Sequence, residues 1–185
     1  MSSPQVIILN GAGSVGKSST AKALQDISVQ PFLHVAMDAF IDMLPVRLLG
    51  DPQGLVFETL QEDGQSSVVI TTGPVCERLM SGMRRSIAAL AAAGNRLVVD
   101  DVMLGHGEAQ DYLSLLAEFD VRFVGLFATL DVLEARELAR GDRAIGLARW
   151  QFERVHLGIE YDLEIDTESI TPPEVAQRIA NAFSL

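Results

Sequence analysis

The sequence predicts a three-layer α/β/α protein, with about five parallel strands in one sheet and helices on both faces. Three observations predict it. Short apolar runs of the kind that form strands buried on both faces recur along the chain. Helical stretches separate successive runs, and a helix that carries the chain back across a sheet leaves neighbouring strands parallel. The chain has 185 residues, enough for one domain with a real core, so we expect a single domain over 1–185.

Val6-Ile7-Ile8-Leu9 is the first run, and a helix is expected over 17–25. Residues 33–37 form the second run, with a helix over 38–48. A long helix over 74–93 leads to the third run at 97–99, and a helix over 108–118 follows. Residues 121–127 form the fourth run, followed by helices over 131–140 and 144–159. Residues 161–165 form the fifth, and a helix over 172–183 ends the pattern. Two helix starts carry capping signals. Asp131 precedes Glu134 by three residues, and Thr171-Pro172-Pro173-Glu174 orders a cap, an N1 proline and the reciprocal glutamate. Residues 50–73 break the rhythm. They hold two apolar runs, 55–57 and 68–70, around Asp63-Gly64, a dipeptide that favours a tight turn. The segment reads as a small inserted hairpin or as an irregular surface loop.

Twenty-five acidic residues against 14 basic ones give a net charge of −11. Such a surface disfavours nucleic acid and anionic membranes as partners. The one cysteine, Cys76, excludes an intramolecular disulfide framework and a multi-cysteine metal site. His34, His106 and His156 show no metal-ligand spacing with it. Residues 1–10 lack Lys and Arg, and their apolar run stops at Gly11, unlike a signal peptide. No apolar stretch approaches about 18 residues. A cytoplasmic protein is the expectation.

Residues 11–18 read GAGSVGKS, a full match to G-x-x-x-x-G-K-[ST], placed between a strand and a helix as that motif requires. The glycines Gly11, Gly13 and Gly16 let the backbone curl so that N–H groups converge on phosphate oxygens. The following helix N-terminus adds its positive end. Lys17 can bridge the β- and γ-phosphates, and the Ser18 hydroxyl can ligate Mg²⁺. The chain has only two lysines, Lys17 and Lys22, and one occupies the motif position. The motif makes the fold class a P-loop NTPase of the nucleotide-kinase type. It makes Gly11, Ala12, Gly13, Ser14, Val15, Gly16, Lys17, Ser18 and Ser19 candidate residues for binding a nucleotide's phosphates, with Mg²⁺ as a cofactor.

Other candidates follow from position. Asp38 comes after the second strand, at the ligand side of such a sheet, and reads as a base for a substrate hydroxyl or as a plain N-cap. Asp42 lies one turn on and shares its face. Asp100-Asp101 ends the third run, where an acid can hold Mg²⁺; which of the two does so is not readable. Arg136 and Arg140 share a helix face, and Arg143 lies just past Gly141-Asp142. Such a basic segment can close over the γ-phosphate, or can simply match a helix C-terminus and pair with Glu137 and Asp142. Met43, Leu44, Phe57, Met103 and Leu104 can line a substrate pocket or belong to the core. Trp150 and Phe152 read as packing residues.

Together these blocks resemble the chloramphenicol phosphotransferase family of small P-loop kinases. The similarity lies in VIILNGAGSVGKSS (6–19), MDAFIDMLP (37–45), VVDDVMLG (98–105), EARELARGDRAIG (134–146) and GIEYDLEIDT (158–167). The resemblance implies ATP-dependent phosphorylation of an antibiotic hydroxyl. In that scheme Asp38 is the catalytic base, and Arg140 and Arg143 are lid arginines at the phosphates. Arg136 stacks on the adenine, and Asp166-Thr167 falls near the nucleotide base. Residues 50–73 resemble the family least and border the acceptor site, and the inner loop Ala12-Gly13-Ser14-Val15 departs from the usual version. The expected partner is a small hydroxylated molecule, with chloramphenicol leading. A kinase for another hydroxylated metabolite and a non-catalytic ATP-binding module are the alternatives. A GTPase is disfavoured because no N-K-x-D motif occurs.

Overall fold

A computed structural model describes residues 5–62, 65–141 and 144–185. Asp63-Gly64 and Asp142-Arg143 lie outside the described residues. The central sheet holds five parallel strands: β1 (Val6–Asn10), β2 (Phe32–Ala36), β5 (Arg96–Asp101), β6 (Val121–Phe127) and β7 (Leu163–Asp166). Their order is β2-β5-β1-β6-β7, which puts β1 at the centre. All five residues of β1 are buried, as a strand covered on both faces requires.

Period-two alternation sends neighbouring side chains to opposite layers. Ile7 and Leu9 face one cluster, with Leu24 of α1 (Lys17–Ile27), Leu133 of α5 (Leu130–Arg140) and Ile179 of α7 (Pro172–Phe183). Val6 and Ile8 face the other, with Met83 and Ile87 of α3 (Pro74–Ala92) and Tyr112 of α4 (His106–Leu115). The segment between β2 and α3 contains an antiparallel hairpin, β3 (Leu55–Glu62) and β4 (Gln65–Thr72), separate from the main sheet. A third cluster of Leu44, Leu48, Leu55 and Cys76 lies beneath it.

Three expectations need correction. The helix expected over 38–48 is only α2, Met37–Ile41, followed by a 3₁₀ turn at Val46–Leu48. Pro45 disfavours helical geometry at the residue before it and cannot donate to an i−4 carbonyl. The helix expected over 144–159 shrinks to α6, Leu147–Phe152, after which Arg154 N–H bonds Gln151 O and Leu157 N–H bonds Arg154 O in tighter i−3 turns. Asp131 is not a cap: Thr129 occupies that position, and its N–H bonds Glu168 Oε1 at 2.6 Å. The capping box at Thr171 and Glu174 is present. Among the described residues no helix is long and apolar enough to cross a membrane.

Candidate active site

The loop Gly11–Ser18 leaves the end of β1 and enters α1. A Cβ at Gly11 would stand 2.6 Å from the Leu126 carbonyl of β6, so the loop tolerates only glycine there. Gly16 caps α1 in the left-handed region, with φ 104°. Ser14 also adopts a positive φ, 65°. Ala12 and Val15 turn their side chains into the core, leaving only their backbone for a ligand. No side chain caps α1 and no acidic residue lies in its first turn, so no cap or acidic side chain competes with an anion there. Lys17 is buried, and its Nζ donates to Gly11 O (2.7 Å) and Ala12 O (3.1 Å).

The two acids after β5 part company. Ser18 Oγ donates to Asp100 Oδ2 at 2.5 Å, and His34 Nε2 stands 3.6 Å from the same oxygen, beyond hydrogen-bonding distance. Burial pushes the Asp100 carboxyl up; His34, the Lys17 ammonium and Ser18 more than offset this and hold it below the ordinary carboxylate value. Asp101 points the other way, as strand alternation demands. It accepts from Tyr112 OH (2.7 Å) and Val102 N–H (2.7 Å), and burial raises its pKa. Asp101 is therefore removed from the candidate metal ligands. Ser18 and Asp100 present hard oxygens beside Lys17, a donor set that suits Mg²⁺ shared with phosphate.

Three connected cavities extend from the loop. The first, about 390 Å³, is lined by residues including Lys17, Ser18, Ser19, Asp38, Asp100 and Arg140. The second, about 600 Å³, shares Asp38 and Arg140 and continues past Asp42, Phe57 and Gln151. The third, about 230 Å³, runs deeper between Phe57, Ile70, Cys76, Met80 and Leu104. Asp38, in the first turn of α2, thus lies on the boundary between the cavity at the glycine loop and the wider one. Two pocket expectations are corrected. Met103 is fully buried in the core beside α3 and α4. Met43 is 66% exposed, because α2 ends at Ile41 and the chain turns outward before Pro45.

Arg136 reaches the chain after β7: its Nη1 donates to Thr167 Oγ1 (3.1 Å) and its Nη2 to Thr167 O (2.7 Å). With Thr20 and Val175 it borders a separate recess of about 230 Å³ behind Ser14 and Gly16. Arg143 lies outside the described residues.

Three buried polar residues were not among the sequence-derived candidates. Asn10 donates to Val155 O (2.6 Å) and Tyr161 OH (2.7 Å) and accepts from Met103 N–H (2.8 Å), tying β1 to the chain after β5. Gln151 Oε1 accepts the Gly13 N–H at 2.6 Å. Glu137, expected at the surface, is 1% exposed and accepts from Gly146 N–H (2.7 Å) and Ala148 N–H (2.8 Å). The chain does carry a signal: Glu137 falls one turn after Leu133, and Gln151 falls between Ala148 and Val155 at core spacing.

The parallel sheet, the glycine loop entering α1 and the carboxylate-lined cavities define a P-loop kinase fold. Solved structures agree on the fold. A sugar kinase from Janibacter sp. matches with a TM-score of 0.71 at 16% identity, over 98% of this chain and 95% of that one. The APS kinase of Mycobacterium tuberculosis, in complex with AMPPNP and APS, matches with a TM-score of 0.68 at 14% identity over 100% of both chains. The chain belongs to the chloramphenicol phosphotransferase-like family, whose model matches residues 4–184. It is 30% identical over 184 residues to proteins from two Mycobacterium tuberculosis strains, provisionally named O-phosphotransferases, covering 97% of this chain and 82% of theirs.

Proposed function

We propose that this protein transfers the γ-phosphoryl group of ATP to a hydroxyl of a small amphiphilic molecule. The primary hydroxyl of chloramphenicol is the leading acceptor. The observation that carries this reading is the position of Asp38, which lines both the phosphate cavity and the wider cavity leading into an apolar recess. In the proposed site the N–H groups of residues 16–19 and the Lys17 ammonium hold the triphosphate, releasing Lys17 from the Gly11 and Ala12 carbonyls. Arg136, beside the recess behind the loop, meets the nucleotide base. Ser18 and Asp100 would hold Mg²⁺, which when bound neutralises charge on the phosphate oxygens. Asp38 orients the acceptor hydroxyl and accepts its proton as the phosphoryl group departs from ATP. Arg140, and Arg143 after it, offset the charge on the transferred group. Because such transition states are loose, positioning and electrostatics carry more of the rate than the base.

A different hydroxylated metabolite is the second acceptor reading, since the name of the Mycobacterium tuberculosis relatives specifies none. Incubation with Mg-ATP and chloramphenicol, followed by phosphorus NMR and mass spectrometry, tests the first. A panel of alcohols tests the second. Asp38→Asn is expected to retain ATP binding and to lower the transfer rate about 100-fold or more. ATP binding without transfer to any acceptor would leave only a binding module.

A further inference from the structure

The deep cavity is lined mostly by apolar residues, with Arg84, Asp101 and Glu108 grouped at one part of its wall and Thr72, Glu77 and Gln151 elsewhere on it. Cys76, Met80 and Arg84 recur at four-residue spacing on α3 and line it together. Eight helical residues rise about 12 Å, so this wall runs from beneath the hairpin to the region of α4. Leu55, Phe57 and Ile70 of the hairpin form apolar walls. Arg84, Asp101 and Glu108 form one polar group.

The hydrogen-bonding needs of that group are unequal. Arg84 Nη2 pairs with Asp111 at 3.0 Å, but Arg84 Nε is buried and has no hydrogen-bond partner. Leaving a buried donor unmade is costly, so Arg84, which lines the cavity, is short of one acceptor. Asp101 is already occupied by Tyr112 and Val102. Glu108 lines the same cavity half-buried and can accept a further donor. An anion placed there meets Glu108 and Asp101. A cation placed there faces the guanidinium and leaves Nε unsatisfied. A neutral group that both accepts and donates, such as a carboxamide or hydroxyl, answers both residues.

We propose that the deep cavity selects acceptors whose apolar body ends in an uncharged group that accepts from Arg84 and donates to Glu108. This rests on reading the cavities beyond Asp38 as the acceptor site. The probes are 3-phenylpropan-1-ol and its para-carboxamide, para-carboxylate and para-aminomethyl derivatives. Binding to the full chain is followed by ligand-observed NMR, and transfer from Mg-ATP by mass spectrometry. The carboxamide is expected to bind about tenfold tighter than the unsubstituted alcohol, with both charged probes weakest. Arg84→Met is expected to erase the carboxamide's advantage while leaving the unsubstituted alcohol unaffected. Asp111→Asn, which removes only the outer ion pair, is expected to keep it. Should Arg84→Met fail to fold by circular dichroism, Glu108→Gln replaces it and is expected to reduce the same advantage. Equal binding of all four probes, tightest binding of a charged probe, no binding, or an advantage unchanged in the variant overturns the inference. Selective binding without transfer refutes phosphoryl transfer and spares the inference; transfer without selectivity does the reverse.

Discussion

Glu137 offers the sharpest test of how the site is held. Its carboxylate comes from α5, yet it takes the first backbone N–H groups of α6, at Gly146 (2.7 Å) and Ala148 (2.8 Å). Gly146 in turn passes its carbonyl to Val68 of the hairpin at 3.0 Å, and a Cβ at Gly146 would stand 2.5 Å from Ser66 O. One buried side chain therefore joins α5, α6 and the hairpin, and α6 carries Gln151 to the phosphate loop. Glu137→Ala removes two charge-assisted bonds worth roughly 1.5–3 kcal/mol each and leaves two N–H groups short of acceptors. Partial hydration of the vacated site offsets some of this, leaving a loss of about 3–5 kcal/mol. That is a large part of a typical stability of about 5–15 kcal/mol. At about 2–4 °C per kcal/mol for this chain length, the melting temperature drops by roughly 6–20 °C. Glu137→Gln keeps the volume but turns one acceptor into a donor facing an N–H, so about 2–3 kcal/mol is lost. Urea unfolding followed by the fluorescence of Trp150, which sits in α6, measures both. A loss below about 1 kcal/mol for Glu137→Ala, or a Gln variant as stable as the parent, refutes the reasoning.

Lys17→Ala is expected to weaken ATP binding by about 10- to 100-fold in calorimetry, the loss of one charge-assisted contact, while the fold persists. Tyr112→Phe leaves the buried Asp101 without its hydroxyl partner and is expected to cost about 1.5–3 kcal/mol in urea unfolding, with ATP affinity unchanged. His156 is held to about 4 by burial and by the Lys17 charge, so the unfolded chain takes up its proton first as pH falls. Stability is therefore fully present above about 6.5 and declines between about 6.5 and about 4; solvent screening of this half-buried ring limits the loss to about 1–2 kcal/mol. His156→Gln should flatten that portion of the stability–pH curve, and an unchanged curve would show that His156 does not carry the loss.

Elements whose reasons are local are legible in the chain itself. The β1 run, the glycine loop and the Thr171-Glu174 box each depend on neighbours within a few residues, and each stands where the sequence puts it. Helix ends are less legible. Over 38–48 the cue is present in the chain, because Pro45 is enough to stop the helix short. At α6 the glycines Gly146 and Gly158 mark the expected span at both ends, but what holds Gly146 is distant: Glu137, nine residues back, and the hairpin.

The acidic pair shows where the boundary falls. Composition gives a net charge of −11, and pattern places two carboxylates at the end of a strand beside a phosphate loop. Strand alternation requires the pair to face opposite sides but does not say which side holds the loop. Only the β2-β5-β1 pairing, with Leu9 opposite Asp100, turns Asp100 toward Ser18 and Asp101 toward Tyr112. The sequence alone determined the glycine loop proposed to hold phosphate, because its motif lies in eight consecutive residues. Tertiary structure alone decided the proposed acceptor side, because Arg84, Phe57 and Gln151 meet there from three distant segments and no local pattern records such a meeting.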